Sequence, residues 1–484
     1  MTQIKQIKMP FVLLSLLVAA ACSQTPEQQV VSKLTDALGG RDKINAAHSL
    51  DMQGEGVQFN LGQDMKPELA SQQFKISSFH RIVDLTQTRT RTGQVRTPAK
   101  FLYFQGQQAT TQVFGLDGEI GYNATAQGAT QRIAAAATRD RLADMYSHPL
   151  VLARALLQPS AKIANVREAG GTTSADVTTP DGVPLGVTLD GAGLPTKIDW
   201  QTYHPNLGDV TISTAFSGNQ DAAGLKLPTK ITTRVDDFTT AEITIARLAA
   251  TEKAADIAAL SDSPPAPVPP APNVTVEPIG KGAWFLAGGS HHSVLVEFAD
   301  HLTLIDAPQS EARALAVIAR ARETVPGKPL TTLAITHHHF DHTAGMRAAI
   351  SEGLSIVTQA GNKDWVERMA KRPHTRQPDA LQKNAKPVKV DSVDSELTMK
   401  DAANEMTLYH VASNPHSDTM LMAYLPAQKV LVEVDAFTPG GTVQPYAANL
   451  LENITSRKLK VDRIVPLHGA IAKFEELPKA VPKS

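Results

Sequence analysis

Between Pro264 and Pro272 the chain reads Pro-Pro-Ala-Pro-Val-Pro-Pro-Ala-Pro, so six of nine consecutive residues lack an amide hydrogen. Such a run adopts extended polyproline II and supplies no donors to a helix or a sheet, so no secondary structure continues through it. The 484 residues therefore divide there, in line with the two or three domains expected at about 150 residues each. We read residues 1–21 as a signal peptide, 22–255 as a β-rich N-terminal domain, 256–273 as an Ala/Pro-rich linker and 274–484 as a second domain.

The signal assignment rests on Lys5 and Lys8 ahead of an apolar run from Phe11 to Ala21, too short to span a bilayer but suited to the core of a secretory signal. It ends Leu17-Val18-Ala19-Ala20-Ala21-Cys22, which resembles a bacterial lipoprotein lipobox, although that family favours Leu where this chain has Ala19. Lipidation of Cys22 implies a membrane anchor, with Ser23 compatible with the outer membrane; ordinary cleavage after the small residues leaves a free thiol. Both readings export the protein to the periplasmic side.

Upstream of the prolines, two short helices are expected at Val30 to Leu38, closed by Gly39-Gly40, and at Arg41 to Ala47. Beyond them, Thr-, Val- and Ile-rich alternating segments at Phe74 to Asp84, Thr86 to Arg96, Gly186 to Leu189, Thr196 to Thr202, Val210 to Phe216 and Thr229 to Val235 read as an antiparallel meander. An Ala-rich helix from about Ala134 to Gln158 interrupts them, and an Ala-rich, charge-spaced segment near Ala249 to Leu260 leads into the linker. The layout resembles the curved half-barrels of periplasmic lipoprotein carriers. It fits binding of a lipid or apolar ligand, and equally a spacer or docking module.

Downstream, apolar strands are expected at Ala283 to Leu286, Ser293 to Phe298 and Leu302 to Asp306. A helix from Ser310 to about Thr324, with Leu315, Ile318 and Ala319 on one side, stops at Pro326-Gly327. The next strand, Leu330 to Thr336, runs into His337-His338-His339-Phe340-Asp341-His342. In extended backbone, residues two apart share a face, so His337 and His339 can chelate one ion while His338 points away. Where the chain turns into a helix, Asp341 and His342 are redirected toward a second. A single cysteine rules out Cys-rich metal frameworks, leaving imidazole and carboxylate as donors. Three further positions lie beside strands: His416 in Asn414-Pro415-His416-Ser417, Asp435 after Val430 to Val434, where a strand-end carboxylate can bridge both ions, and His468 before Gly469. His410 competes with His416 for a place among the donors. His291 and His292 follow a Gly-Gly turn from which they could touch substrate, but we read them as a solvated turn outside the site.

The set His337-x-His339-x-Asp341-His342, then His416, Asp435 and His468, resembles the H-x-H-x-D-H signature of the metallo-β-lactamase fold superfamily, from about Val274 to Ser484. The resemblance implies an α/β fold, an αβ/βα four-layer sandwich. It places His337, His339 and His416 on one ion and Asp341, His342, Asp435 and His468 on the other, with Asp306 close behind them. It departs at Glu433-Val434, where many members carry glycine.

These features imply a hydrolase holding two divalent ions, most simply Zn2+, with Fe or Mn as alternatives. A metal-bound hydroxide oriented by Asp341 would attack an ester, thioester, lactam or phosphoester-type bond of a small-molecule substrate. The alternatives are a ligand- or lipid-binding lipoprotein with a silent metal domain, and an iron-dependent oxidoreductase on the same fold. A formal charge of −1, from 47 basic and 48 acidic residues, gives no field to attract nucleic acid, and none is expected as a partner.

Overall fold

The computed structural model describes residues 24–99, 108–255, 257, 260 and 262–481. The signal segment and Cys22 lie outside them.

Thirteen strands form one N-terminal sheet with antiparallel pairing throughout. Its two halves meet where Ser49–Phe59 pairs with Phe238–Thr251. The chain leaves the sheet at one margin, Thr130–Arg132, and re-enters at the other, Lys162–Ala169, so the residues between must cross a face. Leu34 and Leu38 of the helix Pro26–Leu38 and Leu150 and Leu152 of the crossover close on Leu50, Met52, Ile76 and Ile198 of the sheet.

Two sequence expectations need correction here. The crossover is two helices, Ala135–Tyr146 and Pro149–Leu156, because Pro149 has no amide to continue a helix. His148 caps the second by accepting from Leu150 N through Nδ1 at 3.3 Å. Ala249 to Thr251, assigned to the pre-linker segment, belong to the longer strand Phe238–Thr251.

The linker packs against the sheet. Pro264 O accepts from Arg132 N at 3.1 Å and from Gln131 Nε2 at 3.2 Å, which covers the margin at Thr130–Arg132.

Beyond it stand two facing sheets, one of seven strands from Thr275–Gly280 to Val390–Val393 and one of six from Glu396–Lys400 to Ala472–Lys473. Phe285, Val294, Phe298, Leu408, Met422 and Leu431 form part of the core between them. The helices Glu311–Thr324, Met346–Ser351 and Lys363–Lys371 contribute to the core of the seven-stranded sheet, and Ala447–Ser456 and Glu476–Ala480 to that of the other. Four layers result, the expected αβ/βα arrangement. Ser310 caps its helix by accepting from Arg313 N, but the buried stripe is Ala314, Val317, Ile318 and Ala321. Ala319 is exposed, one position off the buried face.

The N-terminal sheet also joins this second core. Leu207 and Val210 are buried with Leu302, Leu333 and Trp365. Across the same seam Arg372 donates to Leu207 O, to Asp209 O at 3.0 Å and to Asp236 Oδ2 at 2.6 Å.

Candidate metal centre

The strand Leu330–Ala334 is central and parallel to both neighbours, so its C-terminal end opens at the sheet edge where layered α/β folds place ligands. Two backbone devices shape the segment beyond that end. Asp306, ending the neighbouring strand with φ +55°, accepts from Thr336 N at 2.8 Å and Thr336 Oγ1 at 2.7 Å, which pins the start of the histidine segment. Asp is among the few L-residues that enter this left-handed region readily. His339 then serves as N-cap of the short helix Phe340–Thr343, the turn that redirects Asp341 and His342.

Two groups of donors converge. His337, His339, His416 and Asp435 form one and His291, Asp341, His342 and His468 the other; within each, the donor atoms lie inside 4.8 Å of one another. Asp435, also at positive φ (56°), sits between them. Its Oδ2 is 3.2 Å from His337 Nε2, 3.1 Å from His416 Nε2 and 3.2 Å from His342 Nε2, while Oδ1 is 2.9 Å from His468 Nε2. Asp435 thus touches both sets, the position a bridging carboxylate would take.

His291 corrects the sequence reading of a solvated turn. The loop after Gly288-Gly289 folds back over the site: His292 N donates to Leu467 O at 2.9 Å and His292 Nδ1 accepts from Gly288 N at 3.2 Å. His291 is thereby placed with Nε2 3.0 Å from Asp341 Oδ2 and its ring 3.9 Å from that of His468. His338 points away, to Thr419 Oγ1 at 3.2 Å, and His410 is engaged by Asp418 O at 2.8 Å.

A second contribution was invisible in the sequence. The loop joining Ser49–Phe59 to Gln73–Asp84 reaches from the N-terminal sheet to the histidines. Gln63 Nε2 donates to Asp341 Oδ1 at 2.6 Å, and His339 Nε2 lies 2.8 Å from Asp64 O. Nothing in the residues around Gln63 signals this, since the pairing spans 278 positions of chain.

The donor chemistry fits divalent cations. Burial, with the neighbouring His342, pushes His337 down to about 4, and burial holds His339 well below the ordinary imidazole range, so both offer neutral nitrogens. With Nε2 directed at Asp64 O, His339 Nδ1 is buried, faces the group and has no hydrogen-bond partner. Buried polar atoms are normally satisfied, so an inward orphan of this kind marks a place for an electrophile. His342 is held by Asp306 Oδ2 on Nδ1 at 3.0 Å, leaving Nε2 for the site, 3.0 Å from His468 Nε2. Burial opposes its imidazolium, but Asp435 and Asp341 outweigh burial and raise its pKa well above the usual value when only protons compete. Burial alone would raise Asp341; His342 and the hydrogen bond to His291 outweigh it and keep the carboxyl well below its usual range. Glu433, where a glycine was expected, is buried with its pKa raised by burial and Asp435, and its Oε2 accepts from Ala436 N and Phe437 N at 3.1 Å, bracing the turn at Asp435.

A cleft of about 550 Å³ opens onto both groups, lined in part by Gln63, Ser290, Asp341, His416, Tyr446 and His468. Two facing sheets, a histidine segment at a strand end and two donor groups sharing one aspartate make a recognisable combination. Residues 286–468 match the profile of the metallo-beta-lactamase superfamily. Among solved structures, the metallo-beta-lactamase from Pontibacter korlensis is similar at 19% identity, covering 43% of this chain and 96% of its own, with a TM-score of 0.33. That from Hirschia baltica gives 18% identity, 43% and 95% coverage and a TM-score of 0.33. FIM-1 from Pseudomonas aeruginosa, in its mono-zinc form, gives 19%, 43%, 92% and 0.34. No curated protein matches the chain. The donors of both groups thus lie within the matched span, while Gln63, which also lines the cleft, and Asp64 lie outside it.

Proposed function

We propose that this protein is a metal-dependent hydrolase that holds two divalent ions, most simply zinc, and cleaves an ester, thioester, lactam or phosphoester-type bond in a small molecule. The observation that carries the reading is the pair of donor groups sharing Asp435 at the floor of an open cleft. Divalent ions bound there would polarise the scissile group and make water acidic enough to react near neutral pH.

The chain's own residues set the geometry. Asp341 offers two oxygens, one held by Gln63 and one by His291, so its carboxylate is fixed in orientation, stays ionised and is suited to orient a water in the cleft. Asp306 fixes the ring of His342 from behind. Tyr446, its ring 5.1 Å from that of His416, forms part of the cleft wall. Metal analysis of the full chain should find about two equivalents, and hydrolysis in a screen of β-lactam, thioester, lactone and phosphodiester reporters should vanish in His339→Ala and Asp435→Ala. Metal-free protein under conditions that load zinc enzymes would refute the reading.

A cavity of about 470 Å³ beneath the N-terminal sheet, with Met52, Ile76, Phe79, Phe114 and Phe216 among its walls, supports ligand capture by that domain as the second reading. We place the protein on the periplasmic side of a membrane, anchored by lipid on Cys22, on the strength of Lys5, Lys8 and the apolar run before it. Cys22→Ser should shift the protein from the membrane to the soluble fraction. Unchanged fractionation would remove the anchor.

A further inference from the structure

The loop from Asn60 to Gln72 is built as a rigid insert. Asp64, buried in it, accepts from Met65 N at 2.7 Å, Ser71 Oγ at 2.8 Å, Gln72 N at 3.2 Å and Ser71 N, tying its own stretch to the loop's C-terminal end, while Asn60 N donates to Gln72 O at 3.0 Å and joins the two ends. The insert is fitted to the histidine segment by backbone as well as side chain. Gly62 O accepts from Phe340 N at 3.1 Å and Met65 O from Asp418 N at 2.9 Å. Gly62 has φ +77°, and a Cβ there would come within 2.2 Å of the Phe340 ring, so only glycine permits this approach. From the same sheet, Asn206 Nδ2 donates to Phe340 O at 2.9 Å. The turn bearing His339, Asp341 and His342 is therefore gripped from two sides by the N-terminal domain.

We propose that the N-terminal domain is a working part of the metal centre: Gln63 is a positioning residue that holds Asp341, and the Asp64 carbonyl sets which nitrogen of His339 faces the cleft. The inference rests on the metal-hydrolase reading above and adds to it that the donors are held in their orientation only with the two domains docked. A carboxylate restrained by His291 alone can rotate about its remaining bond, and an imidazole without its carbonyl partner can present either nitrogen. Partners behind a ligand of this kind are worth about 10- to 100-fold in metal affinity.

The test uses the full-length protein and metal alone. Zn2+ affinity is read by competition with a chelating dye, and the ligand field from the absorption spectrum of the Co2+-loaded protein. Gln63→Ala, and the near-isosteric Gln63→Glu, which removes the donor, should weaken the more loosely held ion about 10- to 100-fold and shift the Co2+ bands. Glu68→Ala, which removes only the loop's surface pairing with Arg368, should change neither. Wild-type affinity and spectrum in both Gln63 variants would overturn the inference and leave the hydrolase reading standing. A wild-type protein that binds no metal would overturn both.

Discussion

Asp306 belongs to neither donor group, yet three buried donors depend on it: Thr336 N, Thr336 Oγ1 and His342 Nδ1. Asp306→Ala strands all three and removes the charge paired with His342, so it should cost at least about 3 kcal/mol in denaturant unfolding of the full chain. Asp306→Asn tolerates the same positive φ and can still accept from Thr336, so it should retain most of the stability while weakening metal affinity; equal losses in both variants would contradict this division. At this scale the sequence was informative where chemistry is local. Alternation along an extended segment separates His337 and His339 from His338, and the strand-end positions of His416, Asp435 and His468 are readable from apolar runs. His291 was not, because a Gly-Gly-Ser turn looks the same whether it faces solvent or folds over a cleft. The fold-back is set by the bond from His292 N to Leu467 O, 175 positions along the chain.

Elements were legible in proportion to how local their signals are. The helix Glu311–Thr324 is announced by Ser310 and ended by Pro326-Gly327, and the structure agrees at both ends. The strand Phe238–Thr251 was missed although it forms a hairpin with Leu225–Val235, because its Thr- and Ala-rich sequence carries little periodicity. The crossover is the instructive intermediate case, since Pro149 marks a break that the Ala-rich composition hides. The cap at that break has a titration consequence. Burial pushes His148 down from 6.5 to about 3. Its Nδ1 accepts from Leu150 N and its Nε2 is buried without a partner. As pH falls below 6.5 the unfolded chain takes up a proton that the folded helix refuses until about 3, so stability is lost across that window at up to about 1.4 kcal/mol per pH unit. His148→Asn keeps a capping acceptor and removes the titration, so the drop in melting temperature between about pH 7 and about pH 5 should be smaller than in the wild type. An identical drop would exclude His148 as a contributor.

Over the whole molecule, the proline run announces a division that the packing then partly undoes. Leu207 and Val210 are buried with residues of the seven-stranded sheet, and Arg372 makes three bonds across the seam. No single-sequence signal carries such docking, because the residues on each side look like ordinary members of their own domains. Wild-type protein should therefore unfold in a single calorimetric transition, and Arg372→Ala, which leaves Asp236 and two carbonyls without their donor, should split it in two. Two transitions already present in the wild type would show the seam to be weak. The seam also makes the donor cleft sensitive to changes far from it, since anything that loosens the sheets from one another moves Gln63. The prolines themselves have another effect. A thirteen-stranded sheet offers its outermost strand to any neighbouring copy as a template for stacking into fibres. At Thr130–Arg132 that place is taken by a segment that accepts hydrogen bonds through Pro264 but has no amide hydrogens at Pro264 and Pro265 with which to pass the ladder on, so the tether between the halves of the protein doubles as a stopper against polymerisation.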